Sequence, residues 1–303
     1  MRIAVVFFLL LMLGVILMVG SRNVPPNSAP TLKIVTSFSI LKDFVQNISK
    51  GNENVQIASI VPLESDPHTY QPTPKDSVAL ANADLIFING LDFEKGIEKM
   101  ITSSGFAGKV CDASDGITPR TEPLDPHLWH DVKNAKVYVA NIVRFLCEHD
   151  PAHKKLYEAN KGKLLEQLDL LDRWIREQFA RVPFEQRLVV TTHDAFWYFG
   201  KAYGIQFLAP VGISTETEAS AQKVATLIDL IKEKGVKAVF VENLANPRLL
   251  QQIAEETGVM VQGTLYADSL SASAGPAATY EAMMRHNVST IRQALEKTVQ
   301  CKP

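Results

Sequence analysis

Two histidines in the sequence end the same tripeptide. His68 closes Asp66-Pro67-His68, and His127 closes Asp125-Pro126-His127. Proline fixes its own φ angle and biases the preceding residue toward extended geometry, so each tripeptide holds its histidine at a stiff, non-helical corner. Such a corner suits a side chain that is presented to a ligand. Two of them in one chain indicate a shared target.

His193 and Asp268 stand at comparable places in the second half of the chain. Residues 187–192 predict a strand that delivers His193 at its carboxyl end, and Asp268 follows the strand predicted at 259–262. Ligands of open α/β sheets bind outside the carboxyl ends of the strands, and the two earlier histidines also lie in loops after predicted strands. Three imidazoles and one carboxylate suit a divalent first-row metal ion. We therefore predict a metal site formed by His68, His127, His193 and Asp268.

The other four histidines are not expected to bind metal, because a histidine alone is more often a surface or hydrogen-bonded residue. His149 and His153 flank the start of a long predicted helix, where capping or solvation is the default, and His286 on the last predicted helix has the same default. His130, which follows Trp129, is expected to be exposed rather than to support the site.

The elements that must position these side chains alternate between strand and helix in two halves. Such alternation predicts βαβ units and a mainly parallel sheet in each half, flanked by helices. Strands are predicted at 32–36, 55–61, 84–89, 109–111, 187–192, 205–211, 236–241 and 259–262. Helices are predicted at 40–48, 75–83, 93–103, 134–148, 195–203, 219–234, 248–257 and 280–298.

A long uninterrupted segment separates the two halves. Asp150-Pro151 is typical of an N-cap followed by proline at the first helical position, and no further proline occurs before Pro183. About 30 helical residues make a rod of about 45 Å, more than one small lobe needs. We expect an N-terminal α/β lobe at 32–150, a rigid linking helix at 151–182 and a C-terminal α/β lobe at 183–303. A coiled coil is the weaker alternative, because charge patterning beside the apolar positions is poor.

The N-terminus predicts export. Arg2 precedes an apolar run and small residues, so residues 1–21 are typical of a cleaved signal peptide; an uncleaved anchor is the alternative. Neither this segment nor the flexible lead at 22–31 contains a cysteine, which argues against lipid attachment. The protein is thus expected in the periplasm or elsewhere outside the cytoplasm.

Composition excludes several classes of protein. With 31 basic and 33 acidic residues there is no electrostatic case for nucleic-acid binding. The three cysteines, Cys111, Cys147 and Cys301, permit at most one disulfide and form no Cys-x-x-Cys site. Whether any of them pair is left open.

Four segments resemble the TroA-like metal-binding proteins, the extracytoplasmic receptors that hand Zn, Mn or Fe to ABC importers. They are Asp66-Pro67-His68-Thr69-Tyr70, Asp125-Pro126-His127-Leu128-Trp129, Thr192-His193-Asp194-Ala195-Phe196 and Tyr266-Ala267-Asp268-Ser269-Leu270. The resemblance implies two α/β lobes bridged by one long helix, with His68, His127, His193 and Asp268 as the metal ligands. It also implies a monomer that carries one Mn, Zn or Fe ion to an ABC-type membrane permease with a cytoplasmic ATPase.

The sequence leaves the identity of the metal open. Residues 112–124 contain no histidine, unlike the histidine-rich loop of many zinc receptors, and many manganese receptors place glutamate where His193 stands. The order of intrinsic affinities among divalent metal ions does not identify the cargo, because a site that binds Mn or Fe binds Zn more tightly still. A bidentate Asp268 would give five donors, which suit Mn(II) or Fe(II) better than a tetrahedral Zn site.

A secreted metal-dependent hydrolase is the alternative function. Catalytic zinc sites keep one coordination position open for water, whereas four protein ligands leave none, and the sequence has no His-Glu-x-x-His motif. Glu216, Glu218 and Glu242 are the candidate general bases near strand ends, and none lies in a recognisable catalytic motif. A protein that acts only as an adhesin has no characteristic sequence feature, so that role would need binding data.

Overall fold

Residues 32–112 of the protein form a four-stranded parallel sheet with the strand order β2-β1-β3-β4. The structure is a computed structural model that describes residues 31–300, with side chains described through residue 296. The strands are β1 (Leu32–Thr36), β2 (Val55–Ser59), β3 (Leu85–Ile88) and β4 (Lys109–Asp112). The helices of this lobe are α1 (Ser39–Ser49), α2 (Pro74–Ala81), α3 (Lys95–Ser103) and α4 (Val132–His149). The two central strands β1 and β3 bury the apolar side chains of Ile34, Val35, Leu85, Ile86 and Phe87, as is typical of a parallel sheet covered on both faces.

The second lobe repeats this layout with the strand order β6-β5-β7-β8, again all parallel. Its strands are β5 (Leu188–Val190), β6 (Gln206–Leu208), β7 (Ala238–Glu242) and β8 (Val261–Leu265). Its helices are α6 (Trp197–Tyr203), α7 (Ala221–Lys234), α8 (Arg248–Thr257) and α9 (Tyr280–Gln300). The predicted fold class of two α/β lobes is confirmed.

All four strands of this lobe differ from the prediction at their ends, and the differences in β8 and β5 concern the segments nearest Asp268 and His193. β8 begins at Val261 rather than at residue 259, because Gly258, with a φ of 72°, ends α8 and the chain needs two more residues to reach the sheet. β5 ends at Val190, although the Thr191 N–H still donates to the Leu208 carbonyl at 2.9 Å, and the chain turns where the Ala195 N–H donates to the His193 carbonyl at 3.0 Å. His193 therefore lies beyond the end of β5 and pairs with the sheet only through an isolated parallel bridge to Val211.

One long helix, α5 (Lys154–Ala180), joins the two lobes, as predicted. Its 27 residues span about 40 Å. Its start differs from the prediction: a 3₁₀ turn, Pro151–His153, precedes it, and the Asp150 carboxylate caps no backbone N–H. That carboxylate instead accepts from the Tyr157 hydroxyl at 2.6 Å and the Asn52 amide at 2.9 Å. The helix is thereby tied to the first lobe at its N-terminal end.

A continuous hydrophobic core runs through both lobes. The last helix contributes to it by returning to the first lobe: the rings of Tyr280 and Phe44 lie 4.8 Å apart, and the Tyr280 hydroxyl donates to the Trp129 carbonyl at 2.7 Å. From Leu32 onward the chain accordingly forms one compact unit. The division at 32–150, 151–182 and 183–303 stays a prediction.

Some sequence-based expectations lie outside the described residues. These are the leader at 1–21, all but the last residue of the lead at 22–31, and Cys301. Cys111 and Cys147 are free thiols. No helix in the described part of the chain is both long and apolar enough to cross a membrane.

Candidate metal centre

The four predicted ligands lie together between the lobes. One ligand atom from each of His68, His127, His193 and Asp268 lies within 4.8 Å of all the others. The side chains are buried, with 8% of His68, 0% of His127, 1% of His193 and 3% of Asp268 exposed. Two of these residues come from each lobe, so the group exists only where the lobes meet.

The separations between the donor atoms fit a small coordination shell. His127 Nε2 lies 3.1 Å from His68 Nε2 and 3.4 Å from His193 Nε2. Asp268 places Oδ2 3.3 Å from His193 Nε2 and Oδ1 3.4 Å from His127 Nε2. A tetrahedron with metal–ligand bonds of ~2.0–2.1 Å has edges of roughly 3.3–3.4 Å. The three imidazoles and the carboxylate thus have the spacing of ligands around one ion.

The repeated tripeptide forms the same local structure in both places. The Asp66 carboxylate accepts from the His68 backbone N–H at 2.9 Å, and the Asp125 carboxylate accepts from the His127 N–H at 3.0 Å. An aspartate that bonds the backbone two residues on fixes a tight turn. The aspartate of each tripeptide therefore sets the corner that the proline stiffens, and the histidine projects from it.

Carboxylates behind two of the histidines fix which ring nitrogen faces the centre. Asp125 Oδ1 accepts from His127 Nδ1 at 2.9 Å. Glu242, at the end of β7, accepts from His193 Nδ1 and from the backbone N–H groups of Thr192 and His193. A carboxylate on Nδ1 holds the proton there and leaves the Nε2 lone pair for a metal. Sequence reasoning missed both roles, although it placed Glu242 near a strand end.

Electrostatics in the cluster follow from burial and from the neighbouring charges. Burial lowers the pKa of His68 to about 3, so this imidazole is neutral. Burial would also lower the pKa of His193, but Glu242 and Asp268 outweigh it, and the pKa lies well above its usual range. Burial would raise the pKa of Asp268, but the surrounding histidines outweigh it and hold the pKa below its usual value, so Asp268 is a carboxylate. The cluster thus places the Asp268 carboxylate beside a neutral His68 and a His193 that keeps its proton more firmly than a free imidazole does.

The remaining histidines lie outside this group. His149 Nδ1 bonds the Phe145 carbonyl at 2.8 Å, His153 pairs with Asp150, and His286 Nε2 bonds the Thr264 carbonyl at 2.9 Å. The expectation for His130 was wrong, since this residue is 0% exposed. The 3₁₀ turn Leu128–His130 directs its ring inward, 4.6 Å from the ring of Phe196.

A cavity of about 560 Å³ opens beside the four-residue cluster and is lined by both His193 and Asp268. At its rim the Thr215 hydroxyl of the second lobe donates to Asp66 Oδ2 of the first lobe at 2.5 Å. Glu218 also lines this cavity, and it is exposed. The cavity gives the cluster an opening toward solvent, and the Asp66–Thr215 contact bridges it.

Sequence comparison relates most of the chain to known metal-binding proteins. The family model described as ZnuA, zinc-uptake complex component A, periplasmic, matches residues 34–294. The manganese-binding lipoprotein MntA of Halalkalibacterium halodurans is 36% identical over 269 residues, which are 88% of this chain and 89% of that protein. The iron-binding protein YfeA of Yersinia pestis is 37% identical over 278 residues, 89% of this chain and 88% of that protein.

Solved structures show the same fold. The periplasmic zinc-binding protein TroA from Treponema pallidum superimposes with a TM-score of 0.83 at 30% identity, covering 88% of this chain and 99% of that one. The Mn-bound periplasmic metal-binding protein from Candidatus Liberibacter asiaticus gives a TM-score of 0.79 at 30% identity, covering 87% of this chain and 99% of that one. The likeness therefore extends over both lobes and the joining helix.

Proposed function

The chain belongs to the ZnuA family, described as the periplasmic component A of zinc-uptake complexes, and from this premise we propose that it captures one divalent transition-metal ion outside the cytoplasm and delivers it to an ABC permease. The observation that carries the proposal is the convergence of three imidazole Nε2 atoms and one carboxylate, all buried, from both lobes. We propose His68, His127, His193 and Asp268 as the ligands of the ion.

The cargo is Mn, Zn or Fe. The names of the relatives and of the solved structures include all three metals, and a set of three nitrogens and one or two carboxylate oxygens suits each of them. Asp268 Oδ1 and Oδ2 both face histidine nitrogens, at 3.4 Å from His127 and 3.3 Å from His193, which supports a carboxylate able to supply either one or two donors. Affinity order alone does not select the cargo, so the supply of each ion contributes to the choice.

The site is built to hold an ion and not to activate water on it. Glu242, the candidate general base closest to the cluster, is occupied by three N–H donors on Thr192 and His193. Glu216 is exposed, and Glu218 lies in the cavity without a hydrogen bond to any of the four ligands among the described residues. We therefore propose a carrier rather than a hydrolase.

The partner is a membrane permease energised by a separate cytoplasmic ATPase, and the protein itself acts as a monomer. Relatives carry the name of ABC-transporter substrate-binding lipoproteins, which supports this partner. Residues 1–21, predicted as signal or anchor, support a location outside the cytoplasm. The net charge of −2 gives no basis for a nucleic-acid partner.

Titration of a ligand variant tests the site. In His127→Ala, calorimetric titration with Mn, Fe(II) and Zn should show affinities at least about 100-fold weaker than those of the unmodified protein, because a ligand is lost outright. His286→Ala is the matched control: its ring bonds the Thr264 carbonyl away from the cluster, and its affinities should not change. Unchanged affinity of His127→Ala for all three metals would remove this residue from the site.

A further inference from the structure

Arg120 connects the two lobes beside the metal centre. This residue lies in the loop between β4 and the 3₁₀ turn Leu128–His130 of the first lobe. Its guanidinium Nη2 donates to Asp194 Oδ2 of the second lobe at 2.7 Å, and only 14% of the Arg120 side chain is exposed. The guanidinium carbon also lies 5.3 Å from the ring centre of Trp197. Asp194 is the chain neighbour of the proposed ligand His193, so the ion pair ends at one ligand-bearing segment.

The same guanidinium reaches the other ligand-bearing segment. Its Nη2 lies 3.7 Å from Asp125 Oδ2. Asp125 is completely buried, and while Oδ1 holds His127, Oδ2 accepts no hydrogen bond from any described residue. A buried carboxylate without a compensating charge is strongly unfavourable. Arg120 is the cation that offsets the charge of the carboxylate that orients His127.

The backbone of the loop is fastened to the second lobe as well. The Arg120 N–H donates to the Tyr198 hydroxyl at 2.9 Å, and that hydroxyl donates to the Asp125 carbonyl at 2.9 Å. Tyr198 belongs to α6, the helix that follows His193. The segment from Arg120 to Asp125 is therefore held at both of its ends by one tyrosine of the opposite lobe.

We infer that Arg120 is a positioning residue that sets how long the cargo ion is retained. Through Asp125 it keeps His127 in place, and through Asp194 it ties that histidine to the segment carrying His193. Loss of the guanidinium removes the charge that balances Asp125 and lets the two segments separate, so the ion should leave faster. This inference rests on the proposed function, since it concerns release from the same four ligands.

The release rate tests the inference. Protein loaded with Zn or with Mn is mixed with excess chelator, and the rate of ion loss is followed by stopped flow for Arg120→Gln, Asp194→Asn and the double variant. We expect Arg120→Gln to release the ion about 10-fold faster or more, and Asp194→Asn to act in the same direction but less strongly, because it leaves Asp125 compensated. The double variant should release the ion no faster than Arg120→Gln, because the contact that Asp194→Asn breaks, the Arg120–Asp194 ion pair, is already absent in Arg120→Gln.

Arg144→Gln is the matched control. Arg144 pairs with Asp115 at 3.6 Å on the surface of the first lobe, so its loss should leave the release rate unchanged. The melting temperature of each metal-free variant separates positioning from folding, and Arg120→Lys, which restores the positive charge, should recover part of the retention. If Arg120→Gln does not fold, the release rate of Asp194→Asn tests the inference: a rate equal to that of the unmodified protein would overturn it.

Three results would overturn the inference: a release rate of folded Arg120→Gln equal to that of the unmodified protein, a double variant whose rate is the product of the two single effects, or a control as fast as Arg120→Gln. The first of these leaves the proposed function intact if the unmodified protein binds the ion. Failure of the unmodified protein to bind Zn and Mn would instead reject the proposed function.

Discussion

Protons and metal ions are expected to compete for the same imidazole nitrogen atoms in the proposed site. Glu242 accepts from His193 Nδ1, and Glu242 together with Asp268 raises the pKa of His193 against the opposing effect of burial. His68, with a pKa of about 3, is already neutral. Of these two histidines, His193 is the one that holds a proton which an arriving ion must displace.

Affinity should therefore depend on pH with a definite sign. A histidine whose pKa is raised keeps its proton as the pH rises and gives it up only above that pKa, so the affinity should fall as the pH is lowered, by about 10-fold per pH unit for one proton. Calorimetry in buffers of different ionisation enthalpy measures the proton released on binding. In Glu242→Gln the pH dependence should move to lower pH, because one of the two carboxylates that raise the pKa of His193 is gone. Binding at neutral pH without proton release would contradict this account.

Sequence reasoning selected the four proposed ligands, which the structure brings within 4.8 Å of one another, because each follows a strand end or a stiff corner, and these are local patterns. It did not locate their supports. Glu242 lies 49 residues from His193 in the chain, and Arg120 lies 74 residues from Asp194. Such contacts arise from how strands and loops pack, which no local pattern encodes. His130 shows the reverse error: a polar residue was expected at the surface, but the 3₁₀ turn places it inside.

At the scale of elements, α5 determines how the lobes can move. The helix is unbroken from Lys154 to Ala180 and buries a stripe of side chains that includes Leu168, Leu171 and Ile175. The sequence predicted it well because long helices without proline or glycine clusters have a strong periodic signal. Its first turn was less predictable, since the Asp150 carboxylate takes side-chain partners from distant residues instead of capping the helix.

A continuous helix resists wide hinge motion between the lobes. Small-angle scattering of metal-free and metal-loaded protein should therefore give radii of gyration that agree within about 1–2 Å, with changes confined to loops such as 214–220 and 266–270. Thr215, which contacts Asp66 across the cavity, lies in the first of these loops, so movement of that loop alone can widen the opening of the cavity. A difference of several ångströms would mean that the helix breaks or that the lobes move about another point.

At the scale of the whole molecule, the two lobes behave as parts of one body. Tyr280 at the start of α9 donates its backbone N–H to Asp43 of α1 at 2.9 Å, and its ring packs on Phe44. The helix that ends the second lobe is thus anchored in the first. No local pattern predicted this return, because α9 simply completes a strand–helix alternation. We therefore expect the two lobes of this carrier to move little relative to each other.

Import is the property to test at this scale. Deleting the gene should lower cellular uptake of radiolabelled Mn, Fe or Zn at scarce supply, because an ion held by four buried ligands needs a permease to cross the membrane. Restoring the unmodified gene should restore uptake, whereas the His127→Ala gene should not. Unchanged uptake of all three metals in a strain without a redundant receptor would reject the import role, even if the purified protein binds metal.

The four residues proposed as ligands are spread from position 68 to position 268 of the chain. Bringing residues so far apart in the chain together costs conformational entropy. The contacts within both sheets and the joining helix offset this cost only once these elements have formed. In an unfinished or unfolded chain these side chains are therefore far apart, and each of them alone binds metal only weakly. The ion is chosen by the folded protein from the solution in which folding ends. Because the proposed site forms only on folding, we expect the ion supply in the compartment where the chain folds to contribute to which ion the protein carries.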